Sequence, residues 1–369
     1  MSFYTTLTRI EEFDLSSALS SISDSDISRA IGKEHLSETD FLTLISDKAT
    51  PYLEKMAQRA SEITRRQFGR AIGLYTPMYL SNHCANHCVY CGFNCRNDIP
   101  RTQLTLDEVR TEAEAIAKSG LKHLLILTGD APRIATVDYL KECCAVLREY
   151  FSSISIEIYA LDTDQYASLI ESGVDGLTIY QETYNQELYK HLHPKGPKKD
   201  YRYRLDAPER GCIAGMRNVN IGCLLGLDRD WRRDIFVTAM HAAWLQKKYP
   251  EVEVNISLPR MRPHEGEFQP GAVISDRDMV QIMTALRIFM PRCGINISTR
   301  EHPDFRENIL RLGVTRMSAG VSTAVGGHTK EEDKTEQFEI SDSRSVAEIS
   351  AMLKERNFQP VYKDWDEIS

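Results

Sequence analysis

The sequence predicts an α/β protein: a (β/α)8 TIM-type barrel with an N-terminal helical extension and a C-terminal helical tail. Three observations predict it. Eight short apolar runs alternate with stretches of helical periodicity between residues 70 and 320, in keeping with the roughly 250 residues typical of such a barrel. Residues 1–69 show helical spacing only, and residues 321–369 change again to loop, one helix and an extended tail. Glycine and polar residues gather just after the apolar runs, where a parallel barrel carries its functional face. An open doubly wound sheet is the competing architecture, and the number of units does not separate the two.

In the extension, Phe41, Leu42, Leu44 and Ile45 form one apolar pattern. Pro51 then fits the first position of a helix carrying Leu53, Met56, Ala57, Ala60 and Ile63. The first strand is 71–80. Thr105 and Glu108 have the form of a capping box, opening a helix with Val109, Ala113, Ile116 and Ala117 on one face and Gly120 at its end. Strand two is 123–127, followed by a helix over 137–147. In strand three Ile154, Ile156 and Ile158 alternate with Ser155, Glu157 and Tyr159. Tyr166, Leu169 and Ile170 mark a short helix closed by Gly173, and strand four is 176–181. A longer connection follows, with two basic-aromatic clusters, before strand five at 219–225. Ile235, Phe236, Ala239, Met240 and Ala243 define the next helix, and Val252, Val254 and Ile256 strand six. A helix with Met279, Val280, Met283 and Leu286 leads to strand seven at Ile295 and Ile297. Phe305, Ile309 and Leu310 give a helix before strand eight, 314–319. Residues 326–328 and the acidic run 331–333 read as loop, 345–356 as a helix and 360–365 as an extended tail.

A formal net charge of -8 argues against nucleic acid as a partner, because phosphate binding needs a basic face. The basic run 195–199 reads as a solvated loop. No apolar run reaches the ~20 residues of a membrane span, and the N-terminus has no signal-like segment, so the cytoplasm is the expected compartment. Nine cysteines are an odd number and six are scattered (Cys95, Cys143, Cys144, Cys212, Cys223 and Cys293), which does not suggest a disulfide framework.

The other three are Cys84, Cys88 and Cys91, spaced C-x3-C-x2-C directly after strand one. Soft thiolates suit an iron–sulfur cluster or zinc. A closed zinc site needs a fourth ligand, for which His83, His87 and Cys95 are available. Further polar groups follow the other strands: Thr128, Gly129 and Asp130 after strand two, residues 181–183 after strand four, Gly222 and Gly226 at strand five, Arg260 and Arg262 after strand six, and Ser298 with Arg300 after strand seven.

The three-cysteine loop after the first strand of a barrel, with Tyr90 before the last cysteine, resembles the radical S-adenosylmethionine enzymes. The motifs Cys-Val-Tyr-Cys-Gly-Phe, Ile-Gly-Cys-Leu-Leu-Gly-Leu, Leu-Pro-Arg-Met-Arg-Pro, Ile-Ser-Thr-Arg-Glu, Met-Ser-Ala-Gly and Gln-Pro-Val-Tyr-Lys-Asp-Trp, in that order over the whole chain, narrow the resemblance to the 2-iminoacetate synthases, the tyrosine lyases of thiamine thiazole synthesis. The resemblance implies one 4Fe–4S cluster held by Cys84, Cys88 and Cys91, with S-adenosylmethionine on the open iron. It implies a deoxyadenosyl radical that takes hydrogen from the amino group of L-tyrosine, after which the Cα–Cβ bond breaks to give 2-iminoacetate and p-cresol. Tyr90, Thr128, Gly129, Asp130, Glu182, Arg202, Arg204, Gly222 and Gly226 are the implied S-adenosylmethionine contacts; Thr128 and Asp130 depart from the family's Gly-Gly-Glu pattern. Ser298 and Arg300 are the implied grip on the substrate carboxylate. Thiazole synthase and an electron donor such as flavodoxin or ferredoxin are the implied partners. The related tyrosine lyase that matures iron-iron hydrogenase carries a second cluster on C-terminal cysteines, and this chain has no cysteine after Cys293.

Plainer readings stand beside these. Arg300 pairs with Glu301 or Asp304 at the surface; Arg260 and Arg262 are structural pairs; His83 and His87 orient the loop; Cys95 is a bystander; Tyr90 and Phe93 are core; 326–328 is a cover for the barrel mouth or a simple turn. A zinc-stabilised binding module without chemistry is the reading from a different class, and another radical aromatic amino-acid lyase the one from the same class.

Overall fold

The structure is a computed structural model that describes residues 2–262, 268–329 and 337–364. Its centre is a closed parallel barrel of eight strands: β1 Ala71–Ser81, β2 His123–Thr128, β3 Ser153–Glu157, β4 Gly176–Thr178, β5 Asn218–Gly222, β6 Glu253–Ser257, β7 Gly294–Ile297 and β8 Arg316–Ser318. Each pairs with the next, and β8 returns to β1, whose other edge pairs with β2. Closure removes the doubly wound alternative.

Alternation along each strand divides the barrel into two surfaces. Leu74, Ile126, Ile156, Val219 and Ile256 belong to the apolar core shared with the surrounding helices. The alternate residues face the lumen, which is unusually polar: Tyr75 and Tyr79 from β1, Ser155 and Glu157 from β3, Asn218 and Asn220 from β5, Asn296 from β7. Helices begin where the sequence provides caps. Thr105 accepts from the Glu108 amide while the Glu108 carboxylate accepts from Thr105 N, so two otherwise unpaired N–H groups are satisfied.

Several elements differ from the expectations, among them strands five and eight, which end at Gly222 and Ser318 rather than at 225 and 319. Pro51 lies inside a 3-10 turn, Asp47–Tyr52, and the helix Leu53–Phe68 starts after it. Strand four ends at Thr178, well short of residue 181, and the chain turns sharply at Glu182, whose φ is 69°. The tail is not merely extended: β9, Gln359–Val361, pairs in parallel with the start of β1. Asp364 then ion-pairs with Arg217 and, at 2.8 Å, with Arg316, closing the end of the barrel opposite the functional loops. Residues 326–328 are anchored: His328 Nε2 lies 2.9 Å from the Pro77 carbonyl, and its backbone N–H donates to Glu112 at 3.1 Å. The acidic run 331–333 lies outside the described residues.

The C-terminal segment is tied to the barrel by a fully buried ion pair. Arg306 donates to the Asp342 carboxylate at 2.5 Å and to the carbonyl of Ser318, the last residue of β8, at 2.5 Å. Removing one partner strands a charge in the interior, so Asp342→Ala is expected to cost about 3–5 kcal/mol. Equilibrium denaturant unfolding measures this; a loss below about 1 kcal/mol would show that the pair is not a fastening point.

Candidate active site at the mouth of the barrel

The three-cysteine stretch runs without regular structure and is folded by polar contacts at every turn. Asn86, between the first two cysteines, donates from Nδ2 to the Asp130 carboxylate at 2.7 Å and accepts on Oδ1 from the Lys198 amide at 2.9 Å. Backbone bonds run from Ala85 N to Asp130 O, from His87 N to Lys195 O and from Cys95 N to Asn86 O, all at 2.9–3.0 Å. Arg101 donates to the carbonyls of Asn82, Phe93 and Asn94 at 2.7–2.9 Å, closing the far side of the loop. At Gly129 an added Cβ would lie 2.3 Å from the His83 carbonyl and 3.1 Å from Cys84 Cβ, so only glycine lets β2's end approach the cysteines this closely.

Cys88 and Cys91 line a cavity that descends into the lumen; Cys84 stands behind them, within reach of the Cys91 charge. Burial pushes all three thiols up, Cys84 to about 12, with Asp130 adding to the effect there. Such thiols give up their protons to a metal rather than to water. Cys95 is exposed and lies outside this group. Among the described residues no three His, Cys, Asp or Glu side chains close on a point where one ion would sit. The donor set fits an iron–sulfur cluster: three soft thiols on one loop, two of them, Cys88 and Cys91, lining the cavity.

The wall below the cysteines carries charge. The Glu182 carboxylate, buried, lies 2.6 Å from Lys198 Nζ and 3.7 Å from Arg204. Arg204 also donates to the Tyr180 carbonyl at 2.7 Å and stands 4.0 Å from Asp130. Burial works against the Lys198 charge and Arg204 repels it, yet Glu182, Cys88 and Asp130 hold its pKa above the ordinary lysine value. Tyr90 lies beneath Lys198, and its hydroxyl donates to His193 Nε2 at 2.7 Å. The left-handed backbone at Glu182 costs energy in a non-glycine residue. Asp234 holds it from behind, accepting from Tyr184 N at 2.7 Å and Thr183 Oγ1 at 3.1 Å.

On the opposite wall Ser298 and Arg300 face the cavity after β7. The surface-pair reading of Arg300 does not hold. Glu301 is taken by Arg260, with Arg260 Nε 3.0 Å away, and Asp304 lies beside His302 at 3.5 Å. Arg300 makes no ion pair among the described residues; it stacks 3.4 Å from the Phe338 ring, and burial lowers its pKa against the pull of Tyr79 and Glu157. Arg262 also lines the cavity, its Nε unpartnered. Gln337 reaches the rim, accepting from Tyr79 OH at 2.8 Å and lying 3.9 Å from Cys91 Sγ.

Several expected positions fall elsewhere. Arg202 points outward over the Tyr4 ring and pairs loosely with Asp206 at 3.7 Å, so Arg204 alone of that pair reaches the site. Thr128, Gly129 and Asp130 do not line the cavity; Asp130 is spent on Asn86 and the cysteine loop. Gly222 lies against Tyr180 and Ser257 at the end of β5, while Gly226, which does not line the cavity, has φ 106° and accepts from Gly271 N at 2.8 Å. The basic run 195–199 is not simply solvated: Lys198 is a buried wall residue. Glu157, at the end of β3, was legible only as the polar half of an alternating strand.

Two family models match the chain: the radical SAM superfamily over residues 78–238, and the biotin and thiamin synthesis associated domain over residues 257–359. The chain is 39% identical to 2-iminoacetate synthase of Salmonella typhimurium, covering 92% of this chain and 90% of that one, and equally so to the Escherichia coli protein. Among solved structures it is similar to the FeFe-hydrogenase maturase HydG from Carboxydothermus hydrogenoformans, with a TM-score of 0.90 and 30% identity over 98% of this chain and 85% of that one.

Gly129→Ala is expected to push the cysteine loop off β2 and speed alkylation of Cys84 and Cys91 in the metal-free protein, read by mass spectrometry. An unchanged rate would show that the close approach does not hold the loop.

Proposed function

The chain belongs to the 2-iminoacetate synthase family of radical S-adenosylmethionine enzymes, and from that premise we propose how its barrel mouth cleaves the Cα–Cβ bond of L-tyrosine. The enzyme is a carbon–carbon lyase that uses a 4Fe–4S cluster and S-adenosylmethionine, and the products are 2-iminoacetate and p-cresol. The observation that carries the assignment of roles is the division of the cavity into a thiol wall and a cationic wall, both facing one lumen.

Cys84, Cys88 and Cys91 hold the cluster. Together with S-adenosylmethionine it supplies, when bound, a 5′-deoxyadenosyl radical that takes a hydrogen atom from the substrate nitrogen. Glu182, Lys198 and Arg204, adjacent to Cys88, form a cluster of one carboxylate and two cations suited to the amino-acid and ribose groups of S-adenosylmethionine; Tyr90 supports Lys198 from below. Arg300 grips the tyrosine carboxylate with its planar guanidinium, and the Ser298 hydroxyl, 3.4 Å from Arg300 N, fixes the turn that presents it. A pinned carboxylate leaves the amino group on the adjoining carbon, so the reacting nitrogen is placed by the same contact. Phe338 and Gln337 cover the rim and keep water from the radical.

Thiazole synthase as consumer of the imine, flavodoxin or ferredoxin as electron source, and a cytoplasmic location complete the proposal. They rest on the family's chemistry; among the described residues no helix is long and apolar enough to cross a membrane.

Two variants separate the walls. Cys88→Ala is expected to assemble no cluster and to release no deoxyadenosine when supplied anaerobically with S-adenosylmethionine, reductant and tyrosine; retained turnover would remove Cys88 from the ligand set. Arg300→Ala keeps its iron and loses about 10- to 100-fold in tyrosine affinity, the scale of a charged hydrogen-bonded contact. Unchanged affinity by calorimetry would mean that the carboxylate lies elsewhere.

A further inference from the structure

The lumen contains one carboxylate that the roles above leave without work. Glu157 is the last residue of β3 and lines the same cavity as Arg300, which follows β7. β3 and β7 stand four strands apart in the closed order, on opposite sides of the barrel. Two long side chains of opposite charge therefore extend toward each other across the lumen, and each feels the other's charge. Yet among the described residues neither makes an ion pair, although nearby carboxylates do: Glu182 is held by Lys198 at 2.6 Å, and Glu301 by Arg260. An unfilled gap between a buried cation and a buried anion matches the head of a zwitterionic amino acid, carboxylate toward Arg300 and ammonium toward Glu157.

The chemistry demands something at that second position. Tyrosine arrives as an ammonium, whose nitrogen has no lone pair to stabilise a radical once hydrogen is taken from it. One proton must leave as a proton before the hydrogen atom leaves. We propose that the Glu157 carboxylate receives this ammonium proton, giving a neutral amine on the substrate and a neutral carboxyl on the protein. The step moves one proton from nitrogen to oxygen and needs no other reactant. It rests on the reading of Arg300 as the carboxylate grip.

The surroundings suit a proton acceptor. Burial pushes the Glu157 pKa up to about 7, with Glu182 adding to it, while Arg300, Arg204 and Lys198 pull it down. The other titratable groups coupled to it are Tyr75 and Tyr79 on β1 and Tyr180 after β4, all protonated at neutral pH because burial raises them. An acid poised near neutrality both takes and returns a proton readily.

The test compares two ligands that differ only in the amine, L-tyrosine and 3-(4-hydroxyphenyl)propionate, bound anaerobically to the reconstituted enzyme and followed by calorimetry. In the unaltered protein tyrosine affinity should weaken as pH falls through about 7, where Glu157 becomes neutral, while the amine-free acid shows no such loss. Glu157→Gln should bind tyrosine about tenfold or more weakly, without that pH dependence, and bind the amine-free acid as before. Its p-cresol formation should fall about 100-fold or more, and the deficit should shrink toward the pH at which free tyrosine carries its own neutral amine. Equal losses for both ligands would assign Glu157 to the phenol and overturn the proposal. So would an unaltered protein whose two affinities respond alike to pH, a result that depends on no variant. Failure of the Arg300 reading has a different signature: both ligands indifferent to Arg300→Ala.

Discussion

The site depends on the side chain of Asn86. It sits inside the three-cysteine stretch and uses both ends of its amide, donating to Asp130 at the end of β2 and accepting from the backbone of Lys198. One residue thereby joins the loop after β1, the strand beside it and the long connection after β4. The same connection carries Lys198 into the wall, where Glu182 meets its ammonium at 2.6 Å. A loop of this irregularity has no ladder to satisfy its peptide groups, and the side chains of Asn86 and Arg101 take that role.

The polar lumen is the second constraint. Barrels of this class usually fill their interior with branched apolar residues. Here the lumen positions of β3, β5 and β7 carry Ser155, Glu157, Asn218, Asn220 and Asn296, so the interior stays open to a polar substrate. Stability then falls to the outer apolar layer and to fastenings at the ends: Arg306 with Asp342 at the mouth, and Asp364 with Arg217 and Arg316 at the floor.

Much of the fold was legible because buried parallel strands leave short apolar runs between turn signals, as at 123–127, or apolar residues in strict alternation, as at 252–256. β9 was not, since three residues that include Pro360 carry no strand pattern and gain their pairing only from the exposed edge of β1. The cysteines announce themselves by spacing. Glu157 did not, because alternation distinguishes two faces of a strand but does not say that the polar face of a closed barrel points inward. Lys198 looked like one member of a solvated basic run; Asn86 and Tyr189 on its backbone and Glu182 on its ammonium bring it inside. Arg202 and Arg204 are equivalent in sequence; the short helix Tyr201–Leu205 turns one to the surface and the other to Glu182.

A thiol triad that leaves one iron free makes a spectroscopic demand. The protein reconstituted without oxygen should carry about four iron and four sulfide per chain. The electron paramagnetic resonance spectrum of its reduced form should change when S-adenosylmethionine is added, because the open iron gains a ligand. A spectrum indifferent to S-adenosylmethionine, or a chain that takes up one zinc in place of iron, would contradict the account.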